Sequence, residues 1–251
     1  MRTDIEGVAF DLDGTLYPNY RLNIRLIPFA VKELPLLYAF GKARIIIREE
    51  QKDGSIQNDF YNHQAEITAR LLNRPAEIIK EKIERLMYRG WEPLFKTIDL
   101  FEGVRETLIA LHNSGYKLGL LSDFPPETKL DYLGISEYWD AVYCSEYSGA
   151  LKPHPLSFTV MAEKMGLPPE KILYVGNSVS YDVAGAKKVG MKTAWIRTFP
   201  LNIVGTAEEK LKTPPFNRFS KYIPEILHKN GPKPDFSFNI YRQLFDYMLH
   251  Y

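Results

Sequence analysis

Two aspartates one residue apart carry the first chemistry in this chain. Asp11 and Asp13 lie in "DLDGTLY", directly after the apolar run Gly7–Phe10. "SDF" follows Lys117–Leu121, "LKPHP" comes after Ala141–Cys144, and "GNSVSYD" follows Ile172–Val175. Each run is short, apolar and strand-like, so the residues that leave it arrive at one edge of a sheet. That edge gathers Asp11, Asp13, Ser122, Lys152, Asn177 and Asp182. Acids placed together need a cation, and Lys152 alone does not neutralise Asp11, Asp13 and Asp182. A hard ion such as Mg²⁺ takes oxygen ligands, usually one or two carboxylates with waters and substrate phosphate. A carboxylate is also a nucleophile for phosphoryl transfer through an aspartyl phosphate. A hydroxyl and an ammonium then hold the phosphoryl oxygens and offset their charge in the transition state.

The elements that must position these groups alternate. Between the four runs and a fifth, Lys192–Ile196, lie helical patterns over Val104–Asn113, Glu127–Leu133, Leu156–Met165 and Tyr181–Val189. Gly115 and Gly190 stand where helices stop. The alternation predicts an α/β fold with a parallel sheet covered on both faces, which binds ligands at the carboxyl ends of its strands. Residues 18–97 break it and read as all-helical. Ile56, Phe60, Ile67 and Leu71 mark one apolar face there, and Ile79, Ile83, Leu86 and Met87 another, with Pro75 and Gly90 at helix ends. Residues 198–234 are proline-rich and read as irregular, with a short helix near Ala207–Leu211. The closing segment puts Ile240, Leu244 and Met248 on one stripe that packs on the core.

Composition excludes several classes of function. The 251 residues suit one domain with a large insertion, or two unequal domains. A net charge of +1 gives no electrostatic pointer to nucleic acid. The single cysteine, Cys144, excludes an internal disulfide and fits a reducing compartment. The greasiest region, Leu26–Ile47, is broken by charges and by Pro28 and Pro35, short of a membrane span. A cytoplasmic protein with no membrane partner is expected. His63, His112, His154, His228 and His250 show no zinc-like pairing. His154 reads as a turn residue, Cys144 as a packed strand end, and Tyr17 and Trp91 as packing near a domain hinge.

"DLDGTLY", "SDF", "LKPHP" and "GNSVSYD", in this order on this strand pattern, strongly resemble the haloacid dehalogenase (HAD) superfamily of aspartate-nucleophile hydrolases. The likeness spans residues 5 to about 197 and extends to the closing strand and helix. It implies a Rossmann-like three-layer core (1–17 and 98–251) with a helical cap (18–97) inserted after the first strand. It implies Asp11 as nucleophile and Asp13 as general acid/base, with Gly14, Thr15, Ser122, Asp123 and Lys152 around the substrate phosphate. Mg²⁺ would be held by Asp11, the Asp13 carbonyl, Asn177 and Asp182, and the cap would close over a small phosphorylated metabolite.

Simpler readings stand beside these. "DG" alone makes a turn, Ser122 with Asp123 could cap a helix, and Lys152 could be a surface lysine. The family usually has an acid where Asn177 stands, so reduced metal affinity is expected rather than no metal. The leading reading is a Mg²⁺-dependent phosphatase. The others are a binding or regulatory protein of the same fold, a phosphomutase, and a metal-free 2-haloacid dehalogenase, which Asp13 argues against. Neither the substrate nor the oligomeric state is encoded legibly.

Overall fold

The computed structural model describes residues 4–197 and 231–249. The expected short helix near 207–211 and most of the irregular 198–234 segment lie outside the described residues.

Six parallel strands form one sheet: β1 (Gly7–Phe10), β2 (Lys117–Ser122), β3 (Ala141–Cys144), β4 (Ile172–Gly176), β5 (Lys192–Ile196) and β6 (Phe236–Phe238). Their order is β3-β2-β1-β4-β5-β6. Phe10 pairs with Leu120 on one side and Val175 on the other. The chain runs outward from β1 to β3, then returns to lay β4 against β1. That reversal opens a crevice at the carboxyl end of β1 and β4, the usual ligand site of such sheets.

Alternation along the strands feeds two cores. Val8, Phe10, Leu118 and Leu120 face α5 (Val104–Asn113) and the closing helix, packing with Leu108, Leu111 and Leu244. Ala9, Leu121 and Tyr174 face the other way, against Phe158, Met161 and Met165 of α7 (Pro155–Met165). Helix α6 (Glu127–Leu133) follows β2, α8 (Ala184–Lys188) follows β4, and α9 (Tyr241–Leu249) closes the described chain. In α9, Tyr241, Leu244 and Met248 are buried. Ile240 precedes the helix and is 47% exposed, so Tyr241 takes the place expected for it.

Residues 19–97 are mostly helical, with α1 (Asn19–Arg25), α2 (Ile27–Glu50), α3 (Phe60–Leu72) and α4 (Ala76–Ile83) between β1 and α5. Pro28 sits in the first turn of α2, where its missing N–H costs nothing. Pro35 lies inside and displaces Glu33 to a non-helical φ of −118°, so the helix kinks rather than ends. Asp59 caps α3 by accepting from the Asn62 N–H at 3.1 Å. That start leaves Ile56 outside the helix and exposed; Leu71 is exposed too, while Phe60 and Ile67 are buried. The first expected face is therefore half right. The second holds more closely: Ile79, Ile83 and Met87 are buried with Leu36 and Phe40 of α2, and Leu86 packs against them partly buried. No helix among the described residues is long and apolar enough to cross a membrane.

Candidate active site

The floor of the crevice is the turn after β1. The Asp11 N–H donates to the Val175 carbonyl at 2.9 Å, which ties the turn to β4. Gly14 has φ +88°, and a Cβ there would stand 2.2 Å from Nδ2 of Asn177 and 2.4 Å from Nδ2 of Asn19. Only glycine permits that approach. Thr15 donates its hydroxyl to Asp11 at 2.7 Å, and the Tyr241 hydroxyl anchors the Thr15 carbonyl at 2.7 Å.

Asp11, Lys152 and Asp182 form a buried chain of charge. Lys152 Nζ lies 2.6 Å from Asp11 Oδ1 and 2.8 Å from Asp182 Oδ1. Asp182 Oδ2 accepts the Ser178 N–H at 2.9 Å, so both of its oxygens are used in holding the ammonium and the turn. A single π-helical turn over Val179–Val183 presents it. Glycine at 176 is required here as well, because a Cβ would stand 2.4 Å from that of Asp182. Burial pushes the Asp11 carboxyl up to about 7 against the pull of Lys152, with Asp182 and Asp13 adding to the rise. Burial alone would lower Lys152, but the Asp11 and Asp182 carboxylates hold it well above its usual value.

Asp13 has separate partners. The Tyr17 hydroxyl donates to Oδ1. Lys129 Nζ lies 2.9 and 3.0 Å from the two carboxylate oxygens, and Ser122 Oγ 3.4 Å from Oδ2. Burial would raise this acid, but the Lys129 charge and the Tyr17 bond hold it below the usual range. Sequence reasoning missed Lys129, whose signal is its place in the first turn of the helix after "SDF". It also took Tyr17 for packing; Tyr17 is buried against Phe95, yet its hydroxyl reaches the acid.

Ser122 faces the crevice and accepts from the Phe124 N–H at 3.1 Å. The Asp123 carboxylate is committed elsewhere. It accepts from Ser145 Oγ at 2.5 Å, from the Lys152 N–H at 3.0 Å and from Arg48 Nη2 at 2.7 Å. Its expected place at the phosphate therefore rests on the backbone alone. Asn177 and Asn19 each bring an amide nitrogen to 3.4 Å from the Asp13 carbonyl oxygen. Cys144 is buried, and burial pushes its thiol well up, which fits a packed strand end. His154 accepts from the Leu156 N–H at 3.2 Å, capping α7 as a turn residue. Trp91 lies edge-on to Phe124 at 6.1 Å.

A hard divalent cation takes oxygen donors, and an Asp11 oxygen, the Asp13 carbonyl and the Asn177 side-chain oxygen are of that kind. The Asn177 amide presents its nitrogen to the Asp13 carbonyl at 3.4 Å, so it must turn over to offer its oxygen. Among the described residues no three His, Cys, Asp or Glu side chains form a metal cage, so a cation here would draw on backbone, amide and water.

Comparison with known proteins identifies the family. The family model for haloacid dehalogenase-like hydrolases matches residues 5–190. The glyceraldehyde 3-phosphate phosphatase of Methanopyrus kandleri is 28% identical over 199 residues, 77% of this chain and 84% of that protein. The phosphoglycolate phosphatase of Salmonella typhimurium is 30% identical over 201 residues, 74% of this chain and 79% of the relative. A match to the Pyrococcus furiosus glyceraldehyde 3-phosphate phosphatase is 35% identical over 98 residues, and spans only 41% of that protein. Among solved structures, a HAD phosphatase from Thermococcus onnurineus superposes with a TM-score of 0.59 at 23% identity, over 98% of both chains. The L-2-haloacid dehalogenase of Xanthobacter autotrophicus superposes with a TM-score of 0.64 at 19% identity, over 97% of this chain and 98% of that one. With its family model matched over most of its length and its acids gathered at the β1–β4 edge, the chain belongs to the haloacid dehalogenase-like hydrolases.

Proposed function

We propose that the protein is a Mg²⁺-dependent phosphatase of a small phosphorylated metabolite, working through an aspartyl phosphate on Asp11. The observation that carries this reading is the pair of carboxylates with separate partners: Asp11 beside Lys152, and Asp13 beside Tyr17 and Lys129. The phosphatase names of the relatives support it. An Asp11 oxygen attacks phosphorus, the bond to the ester oxygen breaks, and that oxygen takes a proton from Asp13. Lys129 and Tyr17 hold Asp13 ionised in the free site, and it takes that proton from the monoanionic ester as the ester binds. Asp13 then takes a proton from water, whose oxygen attacks phosphorus and returns Asp11 as carboxylate with inorganic phosphate. Ser122 Oγ and Lys152 Nζ hold the phosphoryl oxygens, with backbone N–H groups of Gly14 and Asp123 around them. Thr15 spends its N–H on the Leu12 carbonyl and its hydroxyl on Asp11, shaping the turn. Asp182 keeps Lys152 in place. Asp11, the Asp13 carbonyl and Asn177 would hold Mg²⁺, which supplies Lewis-acid stabilisation of the charge on the phosphoryl group.

In the same reading residues 18–97 are a cap over a core made of 1–17 and 98–251. Its helices bring Phe95 and Arg44 against the crevice, and such a cover excludes water. The test is Asp11→Asn. It keeps the shape but loses the nucleophile, and Mg²⁺-stimulated hydrolysis of an aryl phosphate falls at least about 10³-fold. Activity that survives the change rejects the mechanism. A wild-type protein that binds phosphate yet hydrolyses no ester in a broad panel is a binding protein instead.

A further inference from the structure

Lys129 is an ammonium to which the scheme above gives no part beyond its pairing with Asp13. Lys152 already serves the phosphoryl side, on the sheet floor between Asp11 and Asp182. Lys129 comes from a different element, α6, and stands on the other side of Asp13. Its Nζ lies 5.3 Å from the ring centres of both Phe95 and Phe124. Phe95 belongs to the helical insertion and Phe124 to the exit of β2. The side chain is only 10% exposed.

Asp13 delivers its proton to the ester oxygen, so the first atoms of the leaving group lie against its carboxyl. An ammonium 2.9–3.0 Å from both Asp13 oxygens therefore reaches the leaving group, and it comes from α6 rather than from the segment after β3 that brings Lys152 to Asp11. An ammonium has three protons to donate. Two meet Asp13, and among the described residues the group has no other oxygen acceptor. Two aromatic walls shield it from water, which strengthens any bond it makes to an anion.

Resting on the phosphatase reading, we infer that Lys129 is a specificity-determining residue that receives a carboxylate on the leaving group, so the substrate class is short phosphorylated hydroxy acids. A carboxylate one carbon from the ester oxygen matches the short distance between Asp13 and Lys129 Nζ. The bulk of Phe95 and Phe124 limits the chain beyond it.

The test compares two esters of one size, phosphoglycolate and ethyl phosphate, in which a carboxylate replaces a methyl. Wild type prefers phosphoglycolate in kcat/KM. Lys129→Met lowers that preference about 10- to 100-fold, the worth of a shielded charge-assisted bond, chiefly through KM. Lys129→Arg restores part of it. If Lys129 only steadies Asp13, or instead meets the phosphoryl oxygens, both esters slow by the same factor, and the unchanged ratio overturns the inference. Calorimetry with 3-phosphonopropionate and propylphosphonate, which cannot be hydrolysed, separates recognition from catalysis. A carboxylate preference that Lys129→Met abolishes supports the inference even where no ester is turned over, a result that rejects the phosphatase reading alone. Equal binding of the two phosphonates by wild type overturns the inference while leaving hydrolysis of other esters intact.

Discussion

Asn177 is the residue whose chemistry departs most from a carboxylate-lined metal site. Its amide nitrogen stands 3.4 Å from the Asp13 carbonyl oxygen, and its backbone carbonyl accepts from Trp195 Nε1 at 3.0 Å. The backbone at 177 is therefore anchored, and the side chain meets the Asp13 carbonyl as a neutral amide. Asn177→Asp sets an anion against that carbonyl oxygen, close to the buried Asp11. Without Mg²⁺ this repulsion lowers the melting temperature. With Mg²⁺ the added charge strengthens binding, so the half-saturating concentration falls roughly tenfold. Both effects read out together in a thermal melt titrated with Mg²⁺, where the variant shows the larger rise. A Mg²⁺ response equal to that of wild type removes Asn177 from the metal site.

The exit turn of β2 is where an element, rather than a single side chain, sets the site. Asp123 accepts from Ser145, from the Lys152 N–H and from Arg48 of α2, so one carboxylate joins β2, the segment after β3 and the helical insertion. Burial would raise its pKa, but Arg48, Lys152 and Arg44 outweigh that and hold it at about 2. A folded value below the unfolded 3.8 contributes stability that is present above about pH 4 and lost as pH falls through 2. The shift is worth about 2 kcal/mol. Asp123→Asn therefore flattens the loss of stability between pH 4 and 2 in urea unfolding, whatever it does to stability at neutral pH. An unchanged slope places the acid sensitivity elsewhere. None of this was legible in "SDF", since Arg48 and Asp123 are 75 residues apart in sequence. The strands were legible because burial on both faces makes each one a continuous apolar run. Asp11, Lys152 and Asp182 were legible because their places follow from strand order alone. Lys129 was not, because its reach to Asp13 depends on how α6 is rotated on the sheet. Ile56 was misassigned because the Asp59 cap, not apolar spacing, decides where α3 begins; Leu71 lies in the last turn of that helix and is exposed.

At the scale of the whole molecule, the segment that carries Lys152 belongs as much to the helical insertion as to the sheet. Leu151 is buried with Ala43, Ile47, Phe60 and Ile67 of the insertion. Gln51, at the end of α2, donates to the Gly149 carbonyl at 2.6 Å and accepts the Leu151 N–H at 3.0 Å. Arg48 donates to the Lys152 carbonyl at 2.9 Å, and Arg44 pairs with Glu146 in a buried cluster with Tyr88. Displacing the insertion would therefore pull on residues 146–152, and with them on the ammonium beside Asp11. Gln51→Ala tests this coupling. It removes both bonds and leaves the buried Leu151 N–H without its partner, at a cost of about 1–3 kcal/mol. Coupling confined to the seam makes that cost local: amide exchange accelerates at residues 149–152 and along the end of α2, while β1 and β4 keep wild-type protection. A uniform acceleration through β1 and β4 would show instead that insertion and sheet open as one cooperative unit.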